Sequence, residues 1–279
     1  MSALARVGRL ARLEAWKASR SLLVRVAVLA VAAVAAATAL LHEPLAVESG
    51  WRAAALSLVN ARWAAEIFLL VLGATAIAGE AAQGTLKMVL PHAYRRGDWV
   101  AAKMLALAFL AVVLAAVAAG VSLAAGALGR GLTDVVQEIA PEFGMTDEPT
   151  FRVLHESGDM ARRFGASALA VFGSLVASAA LGLLMSCLFP ALVPALLAAF
   201  LLFFALATGG VLFGASREVL ANVYAWFPGE MLTLLEKLGR ALNEDWNAAL
   251  LSRALLLSGA TALGSVLVSL AVFGRRDLH

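Results

Sequence analysis

The chain has a single cysteine, Cys187, so no internal disulfide can hold its loops. It is also short of charge: Asp, Glu, Lys and Arg make up 15% of its 279 residues, against about 25% in a soluble domain. No G-x-x-x-x-G-K-[ST] phosphate loop occurs, which excludes ATP hydrolysis by that route on this chain. There is no H-E-x-x-H and no cluster with metal-ligand spacing. The four histidines, His42, His92, His155 and His279, all fall outside the long apolar runs. No Gly-x-Ser-Gly lies in an apolar run, so a serine intramembrane protease has no visible nucleophile site. The expectation is a chain with no catalytic residue, no metal site and no nucleic-acid partner.

What is present is apolar. Hydrophobic residues make up 62% of the chain and mean hydropathy is +0.87. The excess is gathered into long runs, which excludes a disordered protein, a secreted disulfide scaffold and an ordinary cytosolic enzyme. A bilayer core about 30 Å thick needs roughly 20 mostly apolar residues per helix. Six segments meet that: 22–41, 56–79, 104–128, 166–187, 192–213 and 254–273. They are Ala- and Leu-rich without strand alternation, so helices are expected rather than a β-barrel. The first run follows basic residues as a signal peptide would. Its length and its long basic leader point instead to an uncleaved helix.

The fold expected is all-α: one polytopic membrane domain over 1–279 with six transmembrane helices. An amphipathic interface helix covers 1–21, where Leu4, Val7, Ala11, Ala15 and Ala18 form an apolar stripe opposite Arg6, Arg9, Lys17 and Arg20. The alternative is a basic leader that only sets topology. With the N-terminus inside, the inner side holds 12 basic and 4 acidic residues (+8), and the remaining 10 basic and 15 acidic residues give −5 outside. Both termini are then cytoplasmic in an inner membrane. A cytoplasmic loop covers 80–103, and external loops cover 42–55, 129–165 and 214–253. Two external amphipathic helices are expected. One carries Leu132, Val135, Val136 and Ile139. The other carries Met231, Leu234, Leu235, Leu238 and Leu242.

Charges are nearly absent from the middle of the runs, which disfavours an ion-coupled carrier. The exception is Arg62 and Glu66, four apart on one face in the outer half of the second run. They suit either an ion pair near the headgroups or a polar rim on a cavity or interface. In the fourth run Ala166, Ala170, Ser174, Ser178 and Gly182 form a stripe of small residues, the pattern of close helix packing.

The stretch Gly79 to Lys103 reads GEAAQGTLKMVLPHAYRRGDWVAAK: a short amphipathic helix, a break at Pro91, a basic turn and a re-entry helix. Such an element is suited to docking in a groove of another protein. Here the sequence resembles the membrane subunit of type-2 ABC exporters. The family's order is an acid at the inner end of the second helix, Gly-Thr, a leucine pair, a proline, an arginine, and a lysine opening the third helix. Glu80, Gly84, Thr85, Val89, Leu90, Pro91, Arg95 and Lys103 fit that order, with Lys87 and Arg96 adding charge. The leucine pair is Val89-Leu90, and the Pro-x-Ser-Arg turn common in the family is replaced by Pro91-His92-Ala93-Tyr94-Arg95-Arg96.

The resemblance implies a permease subunit that exports an amphiphilic or lipid-like substrate by alternating access at a dimer interface. It further implies docking of a separate ABC ATP-binding subunit on 80–103, with ATP and Mg on that subunit and no cofactor on this chain. It also implies pairing with a second copy or a related permease. Some relatives instead pass the ATPase stroke to an extracytoplasmic protein partner, and that is the alternative function. A secondary carrier or channel without an ATPase is a third. Membrane lipid is an expected partner under all three.

Overall fold

The computed structural model describes residues 3–41, 49–84, 96–139, 150–214 and 248–275. Helix α1 (Ala3–Ser19) is joined by a two-residue link to α2 (Leu22–Leu41). Next come α3 (Gly50–Thr75) and the short α4 (Ala78–Ala82). Helix α5 (Arg96–Arg130) leads to strands β1 (Val135–Ile139) and β2 (Thr150–His155). Helices α6 (Ser157–Leu188), α7 (Leu192–Gly214) and α8 (Ala248–Arg275) complete the described chain.

Among the described residues, five helices are long and apolar enough to cross a membrane: α2, α3, α5, α6 and α8. The fifth predicted span corresponds to α7, whose stretch Leu192–Leu206 is apolar. The helix α2 matches the predicted 22–41. Most other helices run past the predicted ends because sequence hydropathy tracks the apolar run while the helix continues into its polar flanks; the exception is the second span, predicted to 79, whose helix stops at Thr75. Thus α3 begins at Gly50 rather than 56, with the Ser49 hydroxyl accepting from the Trp51 N–H as its N-cap. Likewise α5 extends to Arg96 at one end and Arg130 at the other.

Helices α3 and α6 form the centre. The first packs on α2, α5, α6 and α7, and the second also carries α8. The small-residue stripe lies in this contact: Ala170, Ser174 and Ser178 are buried, and Gly182 meets the backbone of α3. Large apolar side chains face outward on the periphery, among them Leu29, Phe109, Leu201, Leu263 and Leu267. In water that surface would aggregate; in hydrocarbon it is the solvated face.

At one end of the bundle the predicted external helix over Leu132–Ile139 is instead a strand. Chain β1 pairs antiparallel with β2, Val136 opposite Val153 and Ile139 opposite Thr150, with an irregularity between Val135 and Val136. Three β-branched residues in five favour a pleated strand over a helix of this length. Gly131, at φ +71°, ends α5 in the left-handed conformation. The hairpin root is bonded to the helix starts. The Gly50 N–H donates to the Gly131 carbonyl (3.0 Å), and the Ser49 hydroxyl to the Thr133 carbonyl (2.8 Å). The Ser157 N–H donates to Asp134 Oδ1 (2.6 Å), and Trp51 Nε1 to the Ser157 hydroxyl (3.1 Å). The second predicted external helix, Met231 to Leu242, lies outside the described residues.

Helix α1 sits at the opposite end, packed on α5. Most of its predicted apolar stripe turns toward the protein, with Val7, Ala11 and Ala18 against the core and Leu10 buried, while Leu4 at its start is exposed. The face left exposed carries Leu13 and Trp16 among Arg9, Arg12 and Arg20. Arg20 stacks on the Trp16 ring at 4.0 Å. An exposed face of apolar rings and snorkelling arginines is what a headgroup region accommodates.

Candidate functional site

Four charged side chains from three helices close into a ring at the α1 end. Lys17 Nζ lies 2.7 Å from Glu80 Oε1 and 3.3 Å from Glu14 Oε1. Lys103 Nζ lies 2.9 Å from Glu80 Oε1 and 2.9 Å from Glu14 Oε2. Each cation therefore touches both acids, and each acid both cations. A second tie, Arg6 to Asp98 at 3.0 Å, fixes the other end of α1 to the first turn of α5. Asp98 also suits that position because the helix N-terminus favours negative charge.

The ring exists because of how three segments end. Helix α3 stops at Thr75, and the chain breaks at Ile77 before restarting as α4. The N–H groups of Ile77 and Ala78, exposed by that break, donate to the buried Ser186 hydroxyl of α6 at 2.8 and 2.7 Å. The re-aimed α4 carries Glu80 toward α5, where Lys103 is buried with its ammonium 5.0 Å from the Trp99 ring centre. Glu14 and Lys17, one turn apart on α1, complete the circuit.

Beneath the ring is a cavity of about 560 Å³, lined by all four ring residues, Trp99, Thr75 and Gln83 and, deeper, by leucines of α3 and α5. Burial alone pushes the Glu14 carboxyl up, but Lys103 and then Lys17 outweigh it and hold it below its ordinary range. Burial likewise pulls Lys17 down, and Glu80 and then Glu14 outweigh it, so its ammonium titrates above its ordinary range.

The signs follow from linkage. A depressed acid stabilises docking above its ordinary pKa, and that contribution is lost as pH falls through the lowered value. A raised lysine stabilises below its ordinary pKa and is lost as pH rises through the raised value. Docking of α1 is therefore expected to be constant across neutral pH and to loosen as pH falls well below 4.5. A spin label at Gly8, where a side chain meets nothing within 4 Å, should report this as increased mobility. Glu14→Gln should reproduce the acid spectrum at pH 7, and an unchanged spectrum would show that Glu14 does not hold the helix.

Of the residues singled out from sequence, the structure joins Glu80 to Lys103 and places Gly84, at φ +71°, where the chain leaves α4. Arg96 opens α5 and donates from Nη1 to the Gly274 carbonyl at the end of α8 (3.4 Å). Thr85, Lys87, Val89, Leu90, Pro91 and Arg95 lie outside the described residues.

Arg62 and Glu66 are placed differently from expectation. With α3 starting at Gly50, Arg62 falls at its middle rather than in an outer half, and both side chains are fully buried. Arg62 Nε lies 3.7 Å from Glu66 Oε1, an ion pair longer than a hydrogen bond. The pair is thus buried inside the helix bundle and does not line the cavity described above.

Sequence reading missed Glu14, Lys17, Trp99 and Ser186. The available signal for the first was its isolation: Glu14 is the one acid among the first 25 residues, amid six basic ones.

No curated protein matches this sequence. Residues 43–279, from just before α3 to the last residue of the sequence, match the family model described as "Protein of unknown function (DUF2705)", and the chain belongs to that family.

Proposed function

We propose that this protein is the permease subunit of an ATP-driven transporter resembling the type-2 ABC exporters. In this reading α7 is a sixth span, the α1 end faces the cytoplasm, and segment 84–96 receives a separate ATP-binding subunit. The observation that carries it is the clamp on that segment. Glu80 precedes it, Lys103 follows it, and the two are bonded directly and through Glu14 and Lys17. Force applied between them reaches α3, α5 and α1 together instead of being absorbed in a loose loop. ATP binds the closed form of the partner ATPase better, and only that difference can shift the membrane part. Outward-facing leucines and phenylalanines suit a membrane-embedded dimer, with an amphiphilic or lipid-like cargo moving at its interface.

The test is affinity purification of the detergent-solubilised protein with its partners. An ABC ATPase is expected to co-purify, to be lost on deletion of residues 84–96, and to be retained but uncoupled in Glu80→Ala. Retention of the ATPase after the deletion, or its absence from the wild-type complex, sinks the reading.

One observation favours transmission to an external protein as the second reading. Helix α3 leads into the break before Glu80 at one end and is bonded to the hairpin root at the other, about 39 Å away at 1.5 Å per residue. Replacing 137–151 by a short Gly-Ser linker separates the two. Export that survives supports the permease, and loss of an external partner with ATPase assembly intact supports transmission.

A further inference from the structure

Trp99 is 5% exposed, and its indole N–H has no acceptor among the described residues. Buried tryptophan N–H groups ordinarily find a partner. Trp99 lines the cavity under the ring, so an acceptor can come from an occupant. The cavity's volume falls in the range of small-molecule sites, roughly 300–1,000 Å³.

Its lining is graded. The ring forms the polar level, and Leu72, Leu107, Leu110 and Leu192 form the apolar level. From Lys103 to Leu110 is seven residues of one helix, about 10 Å. That is the step from headgroup to acyl chain at a bilayer boundary. The polar level carries two acids and two bases, so its charge sums to zero. An anionic headgroup would meet two carboxylates, and a purely cationic one two ammoniums. A group bearing both signs is complementary to it. Lys17 is the exposed member, with 60% of its side chain accessible, and its ammonium has a third proton beyond the two used in the ring.

We propose that this cavity binds one phospholipid with a zwitterionic aminophosphate headgroup, a phosphatidylethanolamine of the adjacent leaflet. The phosphate accepts from Trp99 Nε1 and Lys17 Nζ. The ammonium lies against the carboxylates of Glu14 and Glu80, and an acyl chain lies along the leucines of α3 and α5. The site is built within one copy of the chain and does not depend on an ATPase partner. A lipid so placed bridges α1 to α5 at the root of segment 84–96.

Native mass spectrometry of the full chain, titrated with dioleoyl-phosphatidylethanolamine, dioleoyl-phosphatidylglycerol or soluble glycerophosphoethanolamine, tests this. One ethanolamine lipid should bind, about tenfold tighter than the glycerol lipid, and Trp99→Phe should weaken it by about tenfold, the effect of one hydrogen bond to a charged acceptor. The soluble headgroup should not compete. Equal binding of the two lipids by the wild-type protein overturns the proposal, whatever the variant's folding. So does wild-type affinity in a folded Trp99→Phe. Full competition by the soluble headgroup would assign the site to a free aminophosphate and overturn the lipid.

Discussion

Replacing Glu66 by alanine is expected to cost about 3–5 kcal/mol of folded-state stability, because it leaves a guanidinium buried without the acid paired with it. Arg62 is twelve residues from the start of α3 and thirteen from its end, and its side chain is 0% exposed. At about 18 Å from either end of the helix, no rotamer carries the charge past a helix end. The pair's own geometry is modest, 3.7 Å between the nearest nitrogen and oxygen, so its attraction recovers little of what burial costs. Replacing both residues should therefore behave unlike replacing one. Arg62→Leu with Glu66→Leu is expected to fold as well as the wild type, as buried ion pairs exchanged for apolar residues often do. Thermal unfolding in detergent and monodisperse yield check both. A Glu66→Ala protein as stable as wild type would show that the remaining contacts of Arg62, the Trp63 ring among them, suffice to hold the charge. The double variant also separates structure from action: if it folds and still supports the proposed export, the pair is packing, and if it folds and does not, the pair serves the proposed cycle.

How legible these features were follows from the physics of each. The apolar runs were plain, since each span buries or presents to lipid nearly every residue it has. Their ends were not, because capping and flanking contacts such as Ser49 with Trp51 extend helices beyond the hydropathy signal. The hairpin was misread because Leu132, Val135, Val136 and Ile139 satisfy helical spacing. What decides the matter is the antiparallel partner at 150–155, more than ten residues on, together with Gly131 ending α5. Glu80 and Lys103 stood out through their order in the loop. Of their partners, Glu14 was marked only as the lone acid of the leader and Lys17 by nothing, because a contact between residues 63 to 89 positions apart leaves no local pattern. The leader's stripe was legible, but its destination was not: a helix with Leu13 and Trp16 on one side and Val7, Leu10 and Ala11 on the other offers two apolar faces. Packing on α5, where Lys103 and Asp98 present complementary charge, selects one.

Substitution at the crossing of α3 and α6 should have the other large effect. A Cβ built on Gly182 collides with the Leu70 carbonyl oxygen and the Ala74 nitrogen, and one built on Gly73 with the Ala179 carbonyl and the Leu183 nitrogen. The obstacles are backbone atoms on both sides, so no rotamer change relieves them and the helices must move apart. In a membrane no hydrophobic force holds them together, so contact between backbones is itself the attraction that would be lost. Gly182→Ala is expected to cost about 1–3 kcal/mol, the usual range for overpacking, and Gly182→Leu to exceed it and prevent recovery of folded protein. Gly120 and Gly259 supply the control. Both lie within helices with nothing within 4 Å of an added Cβ, so alanine there should be neutral or stabilising by up to about 1 kcal/mol. Similar losses at Gly182 and Gly120 would mean that helix propensity, not the crossing, sets the effect. The crossing also bears on the ring. Ser186, one turn beyond Gly182, accepts from Ile77 and Ala78 at the break that aims Glu80. Separating the two helices removes that acceptor, so Gly182→Ala should loosen α1 as well, read by the same spin label at Gly8, although the substitution touches no residue of the ring.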